Sequence, residues 1–88
     1  MEEWLDRLAG ELGVGGLTPE ELGAVLKLAR EVAHGIERRF APVSAFLVGV
    51  SVGQRAATGD GRGEALEAAV RTTRRLVESG GGPAGGAS

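Results

Sequence analysis

The sequence contains no cysteine, which excludes disulfides and thiolate metal sites and leaves the redox compartment unmarked. It has one histidine, His34, with no Ser/His/Asp or Cys/His set to join it in catalysis. One histidine among scattered carboxylates has no ligand spacing either, so no metal is expected. The only aromatic residues are Trp4, Phe40 and Phe46, so a core must rest on Leu, Val and Ala. The opening Met1-Glu2-Glu3-Trp4 has neither the basic nor the apolar region of a signal peptide. The longest apolar run, Ala41 to Val52, falls short of the ~20 residues that cross a bilayer. The expectation is a cytoplasmic protein with no membrane partner.

What is present fits one small domain. At 88 residues a chain buries only roughly 60–65% of the surface it exposes unfolded, so a partner or a second copy would help it. Hydrophobic residues make up 42%, which suits a globular chain and not a disordered one. The net charge of −2 hides an asymmetry: residues 1–37 carry eight acids and three bases, residues 38–88 four acids and seven bases. Halves of opposite sign favour folding back or head-to-tail association, and they argue against a general nucleic-acid binder. Nine of the ten basic residues are Arg. With so much Gly, Ala and Val, this points to codon bias in a GC-rich genome and discounts individual glycines.

The apolar spacing predicts four helices. Trp4, Leu5, Leu8 and Leu12 share one face of a helix over Glu2–Leu12, with acids in its first turns and Gly13 as its C-terminal cap. Thr18-Pro19-Glu20-Glu21 is the clearest local signal: an N-cap, a proline at the first helical position and a glutamate closing a capping box. The second helix is expected to run to about Arg38, with Leu22, Val25, Leu26, Ala29, Val32, Ala33 and Ile36 on its core stripe and Phe40 closing the same face. Lys27, Arg30, Glu31, His34 and Arg38 fall on the opposite face.

Ala41-Pro42 breaks that helix and starts a third, over roughly Pro42–Ala57. Its β-branched Val43, Val48, Val50 and Val52 leave a strand open as the competing reading. Nothing else in the chain offers a strand partner, and a lone strand leaves its backbone unpaired; a helix is therefore expected. Such a helix is apolar nearly all round, so it is either central to the bundle or shared with another chain. Thr58 to Gly63 reads as a turn and not as a phosphate loop, because it lacks the Lys-Ser/Thr ending. A fourth helix follows over about Glu64–Ser79, with Glu67–Arg71 and Arg74–Glu78 spaced as i, i+4 ion pairs. The fold class is all-α, a small bundle of four helices with a central apolar third helix. Residues 1–79 form the domain and residues 80–88 a flexible Gly-rich tail.

One constellation could bind something. Arg30, His34, Glu37, Arg38, Arg39 and Ser44 gather at the corner between helices two and three. A helix N-terminus there would offer free N–H groups, those of Val43 and Ser44, to a small anion. The competing account is a solvated basic face. No catalytic or cofactor-binding residue is named by the sequence, and no aromatic interleaving supports nucleic-acid binding.

The run Ala33-His34-x-x-Glu37-Arg38-x-x-Ala41-Pro42-x-x-x-Phe46-Leu47-Val48-Gly49, with Trp4-Leu5 before it and an amphipathic helix after it, resembles a small domain of unknown function from high-GC Gram-positive bacteria. That domain occurs alone or fused to proteins like molybdenum cofactor guanylyltransferase. The resemblance covers about residues 3–78. It implies a non-enzymatic accessory module near molybdenum cofactor biosynthesis, whose partner is the nucleotidyltransferase or a molybdoenzyme. The alternative is a structural homodimer that uses Val48, Val52 and the Gly49/Gly53 edge.

Overall fold

The computed structural model describes residues 2–80. Among them lie four α-helices and no strand: α1 (Glu2–Leu12), α2 (Pro19–Gly35), α3 (Phe40–Ala57) and α4 (Arg62–Glu78). The expected all-α bundle of four helices forms, and the valine-rich third segment is helical. Apart from Gly80, the Gly-rich tail lies outside the described residues.

Local chemistry accounts for the helix ends. Gly13 closes α1 at φ 74°, a backbone conformation that costs a side-chain-bearing residue. At the start of α2 the capping box is complete. The Glu21 N–H donates to Thr18 Oγ1 at 3.0 Å, and the Thr18 N–H donates to Glu21 Oε1 at 2.9 Å. The expected extension of α2 to Arg38 does not occur; the helix ends at Gly35. Here the last turn of α2 meets the end of α4 so closely that a Cβ on Gly35 would lie 2.6 Å from Val77 Cγ1. The chain then turns, and α3 starts two residues before the proline that was expected to open it. Phe40 therefore belongs to α3 and does not complete the face of α2. The fourth helix begins at Arg62 rather than Glu64.

The core is small. Leu28 and Val32 of α2, Val48 of α3, and Ala65, Leu66 and Val70 of α4 are its buried side chains among the described residues. Ala24, Val25, Val52 and Ala69 pack around it. Helices α2, α3 and α4 pack against one another in all three pairings, whereas no described Cα of α1 comes within 8 Å of another helix. The first helix covers the bundle only through its side chains.

Candidate functional site

The strongest polar joint lies outside the corner that the sequence singled out. Arg62, at the first turn of α4, donates from Nε to Glu21 Oε2 at 3.0 Å and from Nη2 to Glu21 Oε1 at 2.7 Å. It also donates to the carbonyl oxygens of Gly15 and Gly16 at 3.0 and 2.8 Å. One guanidinium thus ties the α1–α2 loop, the start of α2 and the start of α4 together, in the bidentate geometry that favours arginine over lysine. The Arg62 hydrogen bonds, followed by the Thr18 N–H, hold the Glu21 carboxyl below its ordinary pKa of 4.5. This joint is structural. Spacing along the chain placed Arg62 in a turn ahead of the fourth helix, so nothing in the local pattern marked it as the partner of Glu21.

A second cross-helix pair replaces an expected local one. Arg74 Nε donates to Glu31 Oε1 of α2 at 3.0 Å, so it braces α2 against α4 and does not pair with Glu78.

The corner between α2 and α3 is built differently from the sequence expectation. Arg30 and His34 are exposed on α2, with His34 in its last turn. Arg38 lies beyond the helix end, so the row through 30, 34 and 38 is broken. Glu37 pairs with Arg39, whose guanidinium sits over the Phe40 ring at 5.2 Å from its centre. Arg38 makes no ion pair among the described residues. Two of the amides at the start of α3 bond within the turn: Phe40 N–H donates to the Glu37 carbonyl and Ala41 N–H to that of Arg38, each at 3.1 Å. Pro42 has no N–H to offer.

The feature that stands out is the open side of α3. From Phe40 to Gln54 this helix carries no charged residue. Yet Phe46 is 69% exposed and Leu47 61%, with Val43 and Val50 exposed beside them. The side of α3 that holds Phe46 and Leu47 is thus turned away from the core. Gly49 and Gly53 have nothing within 4 Å of where a Cβ would stand, so no described residue packs tightly on that edge. Val48 is buried, which removes it from the expected dimer edge; Val52 is half-buried in the chain.

Two apolar hollows flank α3. One, of about 380 Å³, lies between α1, α2 and α3 and is lined by Leu8, Leu12, Val25, Leu28, Val48 and Val52. The other, of about 320 Å³, runs between α2, α3 and α4 along Ile36, Phe40, Val43, Leu47 and Leu76, with Ser44 at its side. No cluster of three or more His, Cys, Asp or Glu side chains able to hold a metal ion occurs among the described residues. No described helix is long and apolar enough to cross a membrane.

The family model described as Domain of unknown function (DUF6457) matches residues 1–84. The chain belongs to that family. The DUF6457 match spans α1 through α4, so the whole bundle is the family's unit, the loosely held first helix included. No curated protein and no solved structure matches the chain.

Proposed function

We propose that this chain is a non-enzymatic docking module that presents the open side of α3 to another protein. The observation that carries the reading is the uncharged, outward-facing row of Val43, Phe46, Leu47 and Val50. Contiguous exposed apolar surface of this kind is uncommon on monomeric proteins and marks interaction sites. An aromatic residue at its centre supplies the sort of anchor on which binding energy concentrates. The small core supports the same reading, because a domain of this size gains stability from a covered face.

The resemblance to domains fused to molybdenum cofactor guanylyltransferase-like proteins supplies the partner: a molybdenum cofactor nucleotidyltransferase or a molybdoenzyme. In this reading any nucleotidyl transfer belongs to that partner.

The test is an amide NMR titration of the chain with the nucleotidyltransferase of the same cell. Shifts should cluster on Val43 to Val50, and Phe46→Glu should abolish them while leaving the helical circular dichroism intact. Shifts confined to Arg30 and His34, or binding unaffected by Phe46→Glu, would discard α3 as the docking surface.

A further inference from the structure

The groove beside α3 and the exposed tryptophan of α1 have complementary chemistry. Trp4 is the chain's only tryptophan and is 57% exposed. It stands between Glu3 and Asp6 on a helix with four acids and one base. The groove is lined by Ile36, Phe40, Val43, Leu47 and Leu76, all large apolar side chains left exposed. At its end the Arg39 guanidinium, paired with Glu37, sits over Phe40, and Arg38 makes no ion pair among the described residues. The knob is thus aromatic with an acidic surround, and the hole is apolar with the unpaired Arg38 at its end.

We infer that a second copy of the chain covers this groove, with Trp4 of each copy inserted between α3 and α4 of the other. This rests on reading α3 as a docking surface, and it names what occupies the end of that surface nearest the α2–α3 turn. A reciprocal exchange closes under a two-fold axis, so the assembly stops at a dimer and does not grow into a filament. Burial of a tryptophan calls for an acceptor for its indole N–H, and Ser44, the hydroxyl-bearing residue of α3 that lines the groove, is the acceptor this contact would use. The loose attachment of α1, whose backbone keeps more than 8 Å (Cα–Cα) from every other helix, lets it adjust to a neighbouring molecule with little loss of internal packing. Glu3 and Asp6 then lie toward Arg38 and Arg39 of the other copy, where they steer the encounter and fix its direction.

Sedimentation velocity of the full chain, combined with Trp4 fluorescence, tests the contact. A dimer is expected to be populated at about 1 mM chain, the range of a small, weak interface. Trp4 emission should move to shorter wavelength as the dimer forms. The dissociation constant should rise about tenfold or more from low to high salt, because its charged rim is screened. Trp4→Ala and Leu76→Glu, which alter opposite sides of the contact at exposed positions, should each give a folded monomer. Arg38→Glu with Arg39→Glu should weaken the dimer, and adding Glu3→Arg and Asp6→Arg should restore it.

A chain that stays monomeric at that concentration overturns the inference, as does a dimer that survives Trp4→Ala or forms with no change in Trp4 emission. The two readings fail separately. A monomer that still binds the nucleotidyltransferase through Phe46 leaves the docking function standing without this contact, whereas a Trp4-dependent dimer indifferent to that protein does the reverse.

Discussion

Arg62 shows how much one side chain can organise in a molecule with few buried residues. Its guanidinium holds a carboxylate and two loop carbonyls at once. Arg62→Ala leaves Glu21 without its partner and frees the loop, a loss of about 2 kcal/mol on the scale of hydrogen bonds to charged groups. Urea unfolding should show it as a lowered midpoint. The same joint sets an acid limit. Because the folded state holds the Glu21 pKa below 4.5, the carboxylate contributes stability that is fully present above that value. It is lost as the pH falls through the depressed folded pKa. Unfolding followed from pH 7 to pH 3 should show this loss, and Glu21→Gln should flatten the part of the curve below 4.5. Neither residue's role could be taken from local spacing. The capping box made Glu21 visible as a helix start, but the partner that fixes its charge lies 41 positions away.

Among the elements, α3 and α1 depart furthest from what an amphipathic pattern would give. A helix that is apolar on every side does not reveal which side is covered, so the face holding Leu47 could be read as core. In the structure the buried side is marked by Val48, and Leu47 points outward. A paired measurement separates the two sides. Leu28→Ala, at a position 3% exposed, should cost about 2–5 kcal/mol. Leu47→Ala should change chain stability by no more than about 0.5 kcal/mol. Equal losses would mean that Leu47 is packed in solution, by the chain or by a second copy, and dilution distinguishes the two. The first helix makes the opposite point. Its pattern and its boundaries were legible, because Leu5, Leu8 and Leu12 repeat correctly and Gly13 ends the run. Its weak attachment was not, since periodicity reports a face and not the distance to what that face meets. Amide hydrogen exchange should therefore be faster throughout α1 than in the centres of α2 and α4, which share the core. Uniform protection across the four helices would contradict that ranking.

For the whole molecule, the consequence of a small core is surface that needs company. More large apolar side chains are exposed than buried among the described residues, and those of α3 are gathered on one side. If a second copy and a nucleotidyltransferase both use that side, they compete. Binding to the nucleotidyltransferase should then weaken as chain concentration rises into the dimer range, and Trp4→Ala should remove that dependence while leaving Phe46 available. Calorimetric titration at two chain concentrations checks it; affinity that is independent of concentration would place the two partners on different surfaces. The sequence by itself determined the class of fold, the number of helices, the capped start of α2 and the opposite charge of the two halves. Those follow from short-range rules: the 3.6-residue repeat, the Thr18–Glu21 cap, proline geometry and the count of charges. Only the tertiary structure decided where α2 ends, which side of α3 is open, that Arg74 reaches Glu31, and that Arg62 ties the loop to two helices. Each depends on which surfaces meet across tens of residues, as when Val77 of α4 comes so near Gly35 that no side chain fits between them.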